Sequence, residues 1–243
     1  AQDGSGTNNA NFGTPVDGSA PRMQMYEWTA ATPDRDSDMD GGVIAHEYGH
    51  GVSNRLTGGP ANSNALTNTQ SGGMGEGWSD FHALMFTQKA SDTKLGSYGI
   101  GTYVQNQPAN GVGIRVYPYN YDKSIDPIDF NSYGTSGTTS YGLARSTAVH
   151  RSGTVWNSAL WDMNWLLIEK YGFDSDLYTG WTGSGAGGAG NKLALRLVLD
   201  GLKLQPANPS FTQARDAILT ADTTLTGGAN QCEIWRAFAR RGL

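Results

Sequence analysis

The sequence predicts an α+β chain, with a small β portion near the N-terminus, one long helix after it and a mainly α-helical C-terminal lobe. Three observations predict this. RMQMYEW (22–28) alternates polar and apolar residues, the period of a half-buried strand. An Asp-rich loop, PDRDSDMDGG, then leads into a helical run over 42–56, which TGGP stops. Beyond position 142 helical spacing dominates.

The remaining elements follow in order. A long polar loop leads to GGMGEGWSDFHALMFTQK, whose second half has helical spacing. Residues 96–142 are rich in Gly, Tyr, Asn and Pro and read as irregular. Helices are predicted over 154–171, 192–204, 210–221 and 231–241, and GSGAGGAGN (183–191) reads as a loop or connector. The chain shows no internal repeat. It divides into residues 1–56, with the β segment and the first helix, and a mainly helical stretch, residues 57–243. The two are expected to form one unit with a cleft between them.

Composition bounds the function. The 243 residues suffice for one large domain or two packed lobes. The net charge of −5 and pI near 5.3 argue against nucleic-acid and anionic-membrane partners, which need a basic surface. No apolar run approaches the length of a membrane span. Cys232, the single cysteine, has no internal disulfide partner and leaves the compartment open. The polar composition, with six lysines among seventeen basic residues, points towards secretion. The opening AQDGSGTNNANF reads as a segment already inside a larger protein.

The chemistry is concentrated in HEYGHGVSNRL, which begins at His46. A helix turns 100° per residue, so His46 and His50 lie on one face, about 40° apart. That suits two neutral imidazoles reaching one Zn²⁺. Glu47, one position on, can face the open side of the metal and take a proton from an activated water. The bland reading is an amphipathic helix that happens to carry two histidines. A third ligand separates the two. The pattern HExxHxxGxxH is excluded, because its later positions are Ser53 and Leu56. The other known arrangement takes a glutamate from a second helix, and Glu76 opens EGWSD at the head of one. Asp80 shares its face and can accept from the outer nitrogen of a zinc-bound histidine, such as His46. His82 sits about 120° round from Glu76 and reads as a structural histidine.

AHEYGHGVSNRLTGGPANSN followed by GGMGEGWSDF resembles the fungalysin family, secreted zinc endopeptidases of the thermolysin-like superfamily. NNANFGTPVDGSAPRMQMYEWT, VHRSGTVWNSALWDMNWLLIEKYG and IWRAFARRGL are similar to the same family, so the likeness spans nearly the whole chain. It implies a thermolysin-like zincin fold with a reduced N-terminal β portion. It also implies His46, His50 and Glu76 as ligands of one catalytic Zn²⁺, Glu47 as general base and Asp80 as the group that orients a ligand. His150 matches the histidine that stabilises the oxyanion. Asn9 and Ala10 match the edge strand that pairs with an extended substrate. Protein or peptide substrates, a monomer and an inhibitory pro-segment, not contained in this chain, are further implications. So is a preference for an apolar residue just after the cut.

The chain also departs from the pattern. Gly75 stands where thermolysin-type sites carry an asparagine before the third ligand, so the partner of His50 is unassigned. No tyrosine lies between His50 and Glu76 to help hold the oxyanion, a role left open to Arg55, Tyr117 or another group. Arg145 stands where an aspartate would orient His150. The family's β-rich portion before NNANF is represented by seven residues.

Two features carry alternatives. Asp34, Asp36, Asp38 and Asp40 alternate along their loop and suit either a Ca²⁺ site or the cap of the following helix. Arg115, in GIRVYPY, either holds a substrate carbonyl with its fork of donors or is an ordinary surface arginine. Trp156, Trp161 and Trp165 lie near helical spacing and are expected in the core. The expected function is that of a secreted zinc endopeptidase. The alternatives are a zinc aminopeptidase, for which no acidic anchor is evident, and a non-catalytic peptide-binding module.

Overall fold

The computed structural model describes residues 5–243, so the first four residues lie outside the described range. Strand β1 (Ala10–Gly13) pairs antiparallel with β2 (Arg22–Met25), with Ala10 opposite Met25. The predicted strand 22–28 is broken at Tyr26, and its end, β3 (Glu27–Trp28), pairs with β4 (Arg35–Asp36) instead. The break has a local cause. The Tyr26 carbonyl accepts from both the backbone N–H and the hydroxyl of Ser37, at 3.1 and 2.7 Å, so the chain changes partner there.

Helix α1 (Gly41–Gly58) starts where Asp40 accepts from the N–H groups of Gly42 and Val43, at 3.0 and 3.2 Å. The other Asp40 oxygen accepts from Val104 N–H, tying the cap to the irregular segment. The helix ends at Gly59, whose φ of 68° favours glycine.

Two later helices begin earlier than their spacing predicts. Helix α2 (Thr69–Thr87) starts seven residues before Glu76, which therefore sits within the helix and not at its head. Helix α3 (Val149–Tyr171) starts five residues before the predicted 154 and carries His150 in its first turn. Glycine disguises both starts, since each interior glycine costs a helix about 1 kcal/mol against alanine. Close packing compensates that cost. A Cβ on Gly73 would lie 2.3 Å from Ser152 Cβ, one on Gly77 2.6 Å from the Gly153 carbonyl, and one on Gly49 2.8 Å from Ser79 Cα. Helices α1, α2 and α3 thus meet almost backbone to backbone.

Helices α4 (Gly190–Leu204), α5 (Phe211–Thr226) and α6 (Gln231–Arg240) complete the lobe, α4 and α6 packing against α3 and α5 against α4. Trp156, Trp161 and Trp165 are buried, as expected of core residues, with Trp78, Phe211 and Phe238 around them. Residues 96–142 are irregular but anchored. Arg241, fully buried, donates to both oxygens of Asp162 and to the carbonyls of Asn120, Asp126 and Ile128. Among the described residues no helix is long and apolar enough to cross a membrane.

Candidate metal centre

The spacing of His46 and His50 on α1 puts their imidazoles edge to face, with ring centroids 4.9 Å apart. Glu76 comes up from α2 between them. Its Oε2 lies 3.2 Å from His46 Nε2 and its Oε1 3.8 Å from His50 Nε2. Ligand atoms 2.0–2.1 Å from a tetrahedral zinc are about 3.3–3.4 Å from one another, so this spacing fits the ion. The polar atoms fit it too: Oε2 of Glu76 and Oε2 of Glu47 are both buried without a hydrogen-bond partner. Among the described residues, this is the group of His, Cys, Asp and Glu gathered closely enough to hold a metal.

The protonation tendencies of Glu76 and His50 favour ligation. Burial pushes the Glu76 carboxyl up, but the close approach of His46 Nε2 and the charges of the nearby histidines outweigh it and hold the group down at about 2. Burial lowers His50 to about 4, leaving a neutral imidazole. Burial also acts to lower His46, but Asp80 and Glu76 outweigh it and raise the group to about 9, so a proton competes with a cation for Nε2. Glu47 is raised to about 7, chiefly by burial, with Glu76 and Asp80 adding to it against His46 and Arg115. A carboxylate poised there can accept and return a proton near neutral pH.

Asp80 lies one helical turn below Glu76 and accepts from His46 Nδ1 at 2.7 Å. Its carboxylate also accepts from Arg115, at 2.8 Å from Nε and 2.7 Å from Nη2, and from the Tyr119 hydroxyl at 2.5 Å. Burial raises the Asp80 carboxyl, but Arg115 and His46 dominate and hold it well below the usual carboxylate range. Arg115 is therefore no surface arginine: its side chain is 6% exposed and two of its donors are taken by Asp80.

A cleft of about 350 Å³ opens over these groups. Asn9 and Ala10, on one wall, face His46, Glu47, His50, Glu76, Arg115 and His150. The apolar side chains of Val43, Ile100 and Ile114 line it as well. Asn9 gives its carbonyl to Tyr26 N–H at 3.2 Å, so the alternation of an antiparallel ladder turns the N–H and C=O of Ala10 to the free edge of β1. His150 is mostly exposed, with Nε2 3.4 Å from Glu76 Oε2.

The other candidate residues lie outside this cleft. Arg55 is paired with Asp17 at 2.9 Å and Tyr117 packs against the core, so neither lines the cleft. Among the described residues no side chain accepts from His50 Nδ1, and the place beside Gly75 is open space. The Asp34–Asp40 run gathers no cation group among the described residues; Asp40 serves as the cap of α1. His82, 2% exposed, donates through Nδ1 to the Trp78 carbonyl at 2.7 Å. Tyr119 escapes sequence reading, since it lies in an irregular segment whose contact with Asp80 leaves no periodic trace.

The sequence model of the fungalysin metallopeptidase (M36) family matches residues 1–243. The extracellular metalloproteinase mep of Aspergillus fumigatus is 52% identical over 243 residues, all of this chain and 36% of that protein. Extracellular metalloproteinase MEP of Pyricularia oryzae is 51% identical over 242 residues, again 36% of its length. Extracellular metalloproteinase 1 of Trichophyton equinum is 49% identical over 243 residues, 37% of its length. The chain spans a little over a third of these relatives. With the gathered His46, His50 and Glu76 set beside a match along its whole length, the chain belongs to the fungalysin metallopeptidase family.

Proposed function

We propose that this chain carries the catalytic centre of a secreted zinc endopeptidase. The observation that carries the reading is the convergence of three ligand atoms beside the buried, unpartnered Oε2 of Glu47, in a cleft bounded by a free strand edge. His46, His50 and Glu76 would hold the zinc, and Asp80 would fix His46. A bound zinc would polarise the scissile carbonyl and make a water in the site more acidic.

The chain's own residues supply the rest. The backbone of Ala10 pairs with an extended peptide along the free edge of β1. Glu47 takes the proton of the attacking water and passes it to the departing nitrogen. His150 donates from Nε2 to the oxygen that gains charge, a contribution of roughly 2.7–4 kcal/mol for a well-placed donor. Arg115 stands in the wall within reach of a substrate carbonyl, while its fork steadies Asp80. Val43, Ile100 and Ile114 favour an apolar side chain beside the cut. Residues 1–56 bring β1 and the part of α1 that carries His46, Glu47 and His50, and residues 57–243 bring Glu76, Arg115 and His150, so both are needed for one site. The relatives named as extracellular support secretion.

An amine-blocked, internally quenched peptide library tests this. Zinc-loaded wild type is expected to cut internal bonds, and a Glu47→Gln chain with equal zinc content is not. A blocked end excludes aminopeptidase action. Absence of cleavage by the zinc-loaded wild type would favour a peptide-binding module.

A further inference from the structure

Tyr119 lies outside the cleft and 1% exposed, on the core side of the metal centre. Its backbone is pinned by reciprocal bonds with Tyr98, of 3.1 and 2.9 Å. A carboxylate offers about four acceptor positions, and all four on Asp80 are used. His46 Nδ1 and Arg115 Nη2 fill Oδ1, while Arg115 Nε and the Tyr119 hydroxyl fill Oδ2. These partners differ in kind. His46 belongs to the metal site, and Arg115 also lines the cleft, with Nη2 3.8 Å from Glu76 Oε2, so a peptide can draw on it. Only Tyr119 holds Asp80 from a place that no substrate reaches.

We propose that Tyr119 is a positioning residue: its hydroxyl fixes the Asp80 carboxylate, and through it the aim of His46 Nε2 at the metal. This rests on the reading of His46, His50 and Glu76 as zinc ligands. The direction of the bond is set by chemistry. Asp80 is an anion among donors and can only accept, so the phenol donates. Loss of that donor leaves Oδ2 short of a partner in a buried site and frees the carboxylate to turn about the Arg115 fork.

The test compares wild type, Tyr119→Phe and Tyr98→Phe. Tyr98→Phe removes the hydroxyl of the residue bridged to Tyr119, which donates to the Thr93 carbonyl at 2.6 Å and accepts from Thr93 N–H at 2.9 Å, without touching Asp80. Zinc affinity is measured by competition with a chromophoric chelator, the visible spectrum of the Co²⁺-loaded chain reports ligand geometry, and melting without metal reports the fold. Tyr119→Phe is expected to bind zinc about tenfold more weakly, the lower end of the effect of outer partners. Its cobalt bands should shift, and it should melt without metal close to Tyr98→Phe, which keeps wild-type affinity and spectrum. Equal affinity and an unchanged spectrum in a folded Tyr119→Phe chain would overturn the proposal. So would a loss of metal-free stability beyond that of Tyr98→Phe with zinc affinity intact at a temperature where the variant is folded, since Tyr119 would then serve the core alone. A wild type that takes up no zinc would overturn the ligand reading itself, and this proposal with it.

Discussion

A Cβ on Gly153 of α3 would lie 2.6 Å from Cβ of Glu76 on α2. The absence of one side chain thus leaves room for the carboxylate that meets His46 and His50. Gly153→Ala should overpack this contact and cost about 1–3 kcal/mol, with weaker zinc binding as Glu76 is displaced. Gly75→Ala is the contrasting case. Nothing lies within 4 Å of its added Cβ, so the helix should gain up to about 1 kcal/mol. Thermal melts of both variants check this; a loss of stability in both would refute it.

Asp80→Asn replaces an acceptor of four hydrogen bonds by an amide and removes the anion opposite Arg115. Zinc affinity should fall roughly 10–100-fold. A chelator titration reads this directly, and wild-type affinity in the variant would exclude Asp80 from the orienting role.

Acid sensitivity should have a component at His82. Burial holds this group at about 4 in the folded chain, against 6.5 when unperturbed. As pH falls through 6.5 the unfolded chain gains a proton that the folded chain refuses. Stability is therefore lost between 6.5 and about 4, by up to roughly 3 kcal/mol. His82→Gln should be less stable at pH 7 but lose less on acidification. Denaturant melts in the presence of a chelator remove the metal's own pH dependence; parallel curves for the two chains would argue against the assignment.

Arg241→Met should destabilise the chain by about 3–5 kcal/mol, because the buried Asp126 would lose its cationic partner and Asp162 would keep only Arg240, at 3.3 Å. The irregular segment 96–142 should loosen first, since Arg241 binds the carbonyls of Asn120, Asp126 and Ile128. Hydrogen exchange along that segment provides the measurement.

The sequence shows the metal centre more readily than the packing that builds it. His46, Glu47 and His50 are legible because their four-residue spacing is local, and Asp80 because it repeats that spacing from Glu76. The starts of α2 and α3 are not legible, since Gly73, Gly75, Gly77 and Gly153 read as loop until the neighbouring backbones are in view. The place of His150 is indicated by family resemblance alone. The bonds of Arg115 and Tyr119 to Asp80 join residues 35 and 39 positions apart through a segment without regular period. No one-dimensional signal carries such a contact.

Everything proposed for this site depends on His46, His50 and Glu76 holding one zinc together. Anomalous diffraction at the zinc edge, from crystals of the zinc-loaded chain, locates the ion without reference to activity. One peak is expected, about 2.0–2.1 Å from Nε2 of each histidine and from a Glu76 oxygen. A strong peak elsewhere, with none between these three side chains, would rule the site out.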